Sequence, residues 1–86
     1  MDKSIKIKFY GKEGCADCMR SKALLASLKV SYEYVDIEKS FNAIEEIERI
    51  TNGLKKTPTI VFSDGEFVIE PSNQRLSDLL LEKGII

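Results

Sequence analysis

From Ser4 to Tyr10 the chain alternates with period two, Ile5, Ile7 and Phe9 on one side and Lys6, Lys8 and Tyr10 on the other, and the run stops at Gly11-Lys12-Glu13-Gly14. Such alternation predicts a strand with one well-buried face. Two glycines within four residues break it. From about Cys15 to Leu28 the composition turns to Ala, Leu, Lys and Met, with Leu24, Leu25 and Leu28 at helical spacing. A strand, a tight break and a helix leave little freedom for the next element. A second strand, reached through that helix, runs parallel to the first.

Ser31 to Ile37 supplies it, with aromatic and β-branched residues. Ser40 is the expected N-cap of a second helix over about 41–51, in which Ala43, Ile47, Ile50 and Leu54 recur every three to four residues and Asn52-Gly53 is the stop. Thr59 to Phe62 reads as a third strand, Ser63-Asp64-Gly65 as a hairpin turn and Glu66 to Ile69 as a fourth strand. Pro71-Ser72 opens a last helix, roughly 73–83, with Leu76, Leu79 and Leu80 facing inward and Gly84 ending it. The expected order is β-α-β-α-β-β-α over one domain, residues 1–86. It is an α/β fold with a mixed four-stranded sheet, helices on both faces and the last two strands antiparallel. Architecture of this kind does not by itself assign a function.

Composition excludes several classes. With 86 residues, 43% hydrophobic and 31% charged, the chain matches an ordinary globule with a lean core. No apolar run approaches the ~20 residues of a membrane span, and the N-terminus has no signal-peptide core. The protein is expected in the cytoplasm, with no membrane partner. At net charge −1, with both signs interspersed, no nucleic-acid partner is expected either. Lys3, Lys6, Lys8 and Lys12 gather near the start of the chain and read as a solvated strand face rather than a docking patch.

The two cysteines, Cys15 and Cys18, stand three positions apart. A disulfide between them closes a very small loop and constrains little unfolded-chain entropy, so the pair is not a structural staple. Cys15 falls at the start of the first helix, where unpaired N–H groups and a partial positive charge favour an anion. A thiolate is such an anion, and it is the attacking species in thiol–disulfide exchange. Cys18, one turn later on the same face, is expected to be the more buried.

This pattern reads as an activated nucleophile with a resolving partner. The other readings are half of a metal site and a chance pair. With no histidine and no third cysteine, one chain cannot complete a tetrahedral site, so no metal is assigned. A cluster shared between two chains through Cys15 remains an alternative, as does a non-catalytic redox-sensing adaptor. Asp17, between the cysteines, suits the first turn of a helix yet opposes ionisation of both sulfurs. Lys12 is expected to oppose Asp17 and, with the helix terminus, to hold the Cys15 pKa below that of free cysteine.

Lys12-x-x-Cys15-x-x-Cys18, Thr57-Pro58 before the third strand and a polar cap at Ser72 resemble the glutaredoxin family along essentially the whole chain. Thioredoxin itself, with an additional N-terminal strand and helix, is less similar. The resemblance implies a thioredoxin-like, glutaredoxin-type fold and a dithiol oxidoreductase that reduces protein disulfides or mixed disulfides with low-molecular-weight thiols. It also implies a cis peptide before Pro58, with Thr57 offering its backbone to a bound thiol. Lys12, Thr57, Pro58, Ser72 and Asn73 are the substrate-binding candidates carried over by match.

Glu70-Pro71-Ser72-Asn73 stands where many glutaredoxins have Gly-Gly and an acidic cap, and looks closer to mycoredoxin-type bacterial proteins. The last helix could still hold a carboxylate through backbone N–H groups, though Glu70 would not help. No bound cofactor is expected. Glutathione or another low-molecular-weight thiol is the expected electron donor, or else a reductase of the thioredoxin-reductase type, and a monomer is expected. Lys55 and Lys56 either meet a substrate carboxylate or are solvated, and Tyr10 is read as packing.

Overall fold

The structure is a computed structural model that describes residues 7–86. Ser4, Ile5 and Lys6 of the expected first strand, and Lys3 of the basic cluster, lie outside the described residues. The elements are β1 (Ile7–Gly11), α1 (Ala16–Ser27), β2 (Glu33–Asp36), α2 (Ala43–Thr51), β3 (Thr59–Phe62), β4 (Phe67–Ile69) and α3 (Asn73–Glu82). The strands form one sheet in the order β2-β1-β3-β4. β1 and β2 are parallel, while β3 is antiparallel to both β1 and β4. This is the expected mixed sheet in the expected element order.

The period of two in β1 sorts its side chains onto two cores. Ile7 and Phe9 join Ile60 and Phe62 of β3, Leu25 of α1 and Leu76, Leu79 and Leu80 of α3 in one buried cluster. α1 and α3 therefore share one face. On the other face Tyr10 is buried with Ile37, just past β2, and with Ala43 and Ile47 of α2. The alternating lysines suggest a solvated face there. Lys8 is exposed, but Tyr10 is 1% exposed, because α2 covers that side of the strand. Burying a large apolar side chain contributes roughly 1.5–3 kcal/mol, against about 1 kcal/mol for a helix cap. Leu76, Leu79 and Leu80 thus decide where α3 sits, and its cap trims the end.

Ser72 is that cap, with its hydroxyl accepting from the Arg75 N–H at 3.1 Å. Ser40, by contrast, does not cap α2. Its N–H donates to the Asp36 carbonyl at 2.9 Å in the turn that leaves β2, so Ser40 belongs to the turn. The helix begins at Ala43 behind Asn42, which is left-handed (φ 68) and makes no side-chain cap bond. Asn is one of the few residues that visit this region routinely. Leu54, placed in the α2 stripe by its spacing, lies beyond the helix and is 44% exposed. Asn52, also left-handed, ends the helix first.

Candidate functional site

The strand directions bring four segments to one end of the sheet. β1 ends at Gly11, and the chain turns through Lys12–Gly14 into α1. β2, parallel to β1, finishes beside it, and the Ile37 N–H donates to the Gly11 carbonyl at 2.9 Å. β3 runs the opposite way, pairing Thr59 with Tyr10, so its preceding residues Thr57 and Pro58 arrive at the same end. β4 returns there as well, and the Glu70 N–H donates to the Pro58 carbonyl at 2.8 Å before Pro71-Ser72 leads into α3. The head of α1, the Thr57-Pro58 loop and the head of α3 are therefore neighbours because of topology.

Cys15 is the N-cap of α1. Its backbone is extended (φ −94, ψ 109) and its Sγ accepts from the Cys18 N–H at 3.1 Å. A sulfur occupies the place that Ser or Asp takes in most caps, and there it receives one of the orphan donors of the first turn. Thr57 approaches from across the sheet end. Its Oγ1 lies 3.6 Å from the Cys15 sulfur, and the Cys15 thiol reaches the Thr57 carbonyl at 3.8 Å. The Thr57-Pro58 peptide is cis. Both cysteines are free thiols, Cys15 partly exposed and Cys18 at 1% exposure.

The two sulfurs are driven apart electrostatically. For Cys15, burial is the largest single influence and opposes ionisation. Hydrogen bonds from the Cys18 thiol, the Thr57 hydroxyl and the Cys18 N–H outweigh it, along with the opposing charge of Asp17, and hold the thiol below its ordinary value. For Cys18, burial and its hydrogen bond to Cys15 push the thiol up to about 11. The expected asymmetry is present, with one correction of cause. The charge of Lys12 is not among the leading influences on Cys15. The Lys12 backbone bears on the other sulfur, where it favours the Cys18 thiolate, while its side chain is exposed. Asp17 in turn pairs with Arg20 at 2.8 Å, which offsets the carboxylate that the sequence alone leaves facing the sulfurs.

Ser72 and Asn73 lie at the head of α3, both exposed, and no hydrogen bond joins either to Cys15 or Thr57 among the described residues. Pro58 is buried, and Lys55 and Lys56 are exposed in the loop before it. Glu70 has φ 49, left-handed in a residue with no local side-chain excuse for it. Tyr10 donates its hydroxyl to Glu46 at 3.0 Å and is packing, as expected.

Two residues next to the sulfurs are not signalled by the sequence pattern. A Cβ on Gly11 would lie 3.1 Å from the Cys18 sulfur, from Phe9 Cε1 and from Tyr34 Cε1. Gly11 is thus a close-approach glycine as well as a strand terminator. Tyr34 shares that gap. Only its position on an edge strand opposite Phe9 could have drawn attention to it.

Comparison with known proteins agrees with this geometry. A Mycobacterium tuberculosis protein named for similarity to glutaredoxins is 29% identical over 76 residues, spanning 88% of this chain and 90% of that protein. Among solved structures, the thioredoxin-like protein BC3987 superposes with a TM-score of 0.77 at 31% identity, over 86% of this chain and 99% of that one. A glutaredoxin from Archaeoglobus fulgidus shares the fold, with a TM-score of 0.75 at 24% identity over 86% and 84% of the two chains. The family model described as Glutaredoxin matches residues 7–68, from the start of β1 into β4, and so takes in both cysteines and the cis proline. The chain therefore belongs to the glutaredoxin family, a family of thiol–disulfide oxidoreductases built on the thioredoxin-like fold.

Proposed function

We propose that the protein is a dithiol oxidoreductase in which Cys15 attacks and Cys18 resolves. The observation that carries this reading is the Cys15 sulfur at the α1 N-cap, 3.1 Å from the Cys18 N–H, with Cys18 buried one turn behind it. The Cys15 thiolate attacks one sulfur of a protein disulfide or of a mixed disulfide with a small thiol. The new bond joins Cys15 to that sulfur, the old S–S bond breaks, and the departing thiolate takes up a proton.

Two influences that raise Cys18, its hydrogen bond to Cys15 and the charge of Cys15, vanish once Cys15 is tied up in the mixed disulfide. Cys18 then gives up its proton more readily. It attacks the Cys15 sulfur and expels the substrate thiolate, leaving a Cys15–Cys18 disulfide. A second small thiol can instead attack the adduct and free Cys15 directly. Thr57, beside Cys15, and cis-Pro58 line the approach, and Lys12, Ser72 and Asn73 are the outer contacts for substrate.

The protein draws its electrons from glutathione, the co-substrate of the family, or from another low-molecular-weight thiol or a thioredoxin-reductase-type enzyme. It acts as a monomer in the cytoplasm, where thiols are kept reduced. No described helix is long and apolar enough to cross a membrane.

Turnover of a mixed-disulfide substrate and of a protein disulfide, with a glutathione couple and a thioredoxin-reductase couple run side by side, tests the reading. Cys15→Ser loses all turnover with both substrates. Cys18→Ser keeps reduction of small-thiol adducts and loses reduction of protein disulfides. Normal turnover by Cys15→Ser would overturn the assignment.

A further inference from the structure

Cys18 is 1% exposed although it sits at the first turn of a helix, beside an open end of the sheet. On its inner side it joins the cluster of Phe9 and Leu25. Its outer side faces Gly11, which has no side chain to cover it. The space where a Cβ would stand is filled by the Cys18 sulfur, Phe9 Cε1 and Tyr34 Cε1, each 3.1 Å from that point. The Tyr34 ring has two further neighbours. Phe9 packs against it, with ring centroids 5.8 Å apart at 36°, and the Lys22 ammonium is 4.2 Å from the ring centroid. Lys22 stands one turn beyond Cys18 on α1, on the same helix face. A cation over an aromatic ring is attractive by roughly 0.5–1 kcal/mol at an exposed site, enough to bias a residue that is 36% exposed toward one position.

We propose that Tyr34 is a positioning residue that lids Cys18: its ring, packed against Phe9 and held by the Lys22 ammonium, closes the gap over Gly11 and keeps solvent and outside disulfides away from the resolving sulfur. The charged and titratable groups around this contact are Cys15, Asp36 and Glu13, which with Cys18 bear on the Tyr34 hydroxyl, and Lys22 over its ring. The lid enforces order. An external disulfide reaches Cys15 first, and Cys18 meets only the adduct that Cys15 delivers from the inner side. The step so guarded rests on the reading of Cys18 as the resolving thiol. The contact itself does not, and its test requires no turnover.

In a Cys15→Ser background, Cys18 is the one cysteine left, and its alkylation by iodoacetamide can be followed against pH. With Tyr34→Ala added, alkylation at pH 8 should speed up about tenfold and its pH midpoint fall by about one unit toward the free-cysteine value, since the thiolate is the reacting species. Tyr34→Phe, which keeps the ring, should leave both unchanged. Tyr32→Ala serves as the control for general loosening, because Tyr32 also packs on Phe9, with centroids 5.5 Å apart. An unchanged rate in Tyr34→Ala overturns the proposal, and so does an equal acceleration in Tyr32→Ala. Should Tyr34→Ala lack a cooperative thermal transition, Lys22→Ala carries the test. A roughly twofold to threefold acceleration is then expected from the loss of the cation over the ring, and no acceleration overturns the proposal.

Discussion

The sulfur of Cys15 collects hydrogen bonds that favour the anion, while that of Cys18 is wrapped in carbon and faces a neighbouring negative charge. Residues of one type, three positions apart, thereby acquire opposite tendencies. Thr57 supplies a share of the difference from another part of the chain. Thr57→Val should move the pH midpoint of Cys15 alkylation upward, toward the free-cysteine value, and slow the reaction several-fold at pH 7 through the smaller thiolate fraction. An unchanged midpoint would mean that the 3.6 Å contact carries no weight.

Opposite shifts also give opposite stability signatures. Cys18 binds its proton more tightly when folded, so its contribution is present below the ordinary value of 9.0 and is lost as pH rises toward about 11. Tyr10 behaves alike one step higher. Burial and the Glu46 carboxylate raise it from 10.0 to about 12, and its contribution disappears between those values. Cys15 runs the other way, its contribution present at high pH and lost as pH falls through its lowered value. Thermal melts of the reduced protein should therefore show Tm falling between pH 10 and 12. Tyr10→Phe should be less stable at neutral pH, having lost the hydrogen bond to Glu46, but flatter over that alkaline range. At Gly11 a methyl group would stand 3.1 Å from the Cys18 sulfur, Phe9 Cε1 and Tyr34 Cε1, and the first two are fully buried with little room to give. Gly11→Ala should cost about 1–3 kcal/mol in denaturant unfolding, the usual range for overpacking.

Among the elements, α3 and α2 show where local sequence signals hold and where they give way. Ser72 reads as a cap and is one, because a proline precedes it and the leucine stripe after it fixes the register. Ser40 reads as a cap and is not, because the turn after β2 runs on to Asn42 and the helix starts only at Ala43. Both serines look alike in sequence, and only where the preceding turn ends separates them. Ser72→Ala should accordingly lower stability by about 1 kcal/mol, whereas Ser40→Ala should lie within about 0.5 kcal/mol of the parent, both read from denaturant midpoints.

Thr51, at the end of α2, has a hidden task. Its buried hydroxyl oxygen accepts from the Leu54 N–H at 3.0 Å and lies 2.7 Å from the carbonyls of Ile47 and Leu54, to one of which it donates. It thereby ties down the loop that carries Thr57 and Pro58. Nothing in a helical stripe distinguishes a threonine that anchors a loop from one that merely ends a helix.

At the scale of the molecule, element order and strand direction were legible because hydrophobic period and turn chemistry agree with each other along the chain. The pair Cys15 and Cys18 was legible because a helix start is marked locally, by Gly14 before it and the Ala- and Leu-rich run after it. Contacts made across the sheet end were not. Thr57 against Cys15 and Tyr34 beside Gly11 depend on where whole elements pack, whereas Arg20 against Asp17 is a local i,i+3 pair of α1. The sequence offers a threonine or an aromatic ring at those positions without saying what each will touch.

The central claim is that Cys15, capping α1, is the nucleophile and Cys18 is not, and single-cysteine proteins test it most directly. Cys18→Ser and Cys15→Ser are each mixed at pH 7 with the same small-thiol disulfide, and adduct formation is followed by intact mass. The account predicts that Cys18→Ser gains one adduct at a rate at least about tenfold above Cys15→Ser, in line with their thiolate fractions. Equal rates, or faster reaction at Cys18, would contradict it.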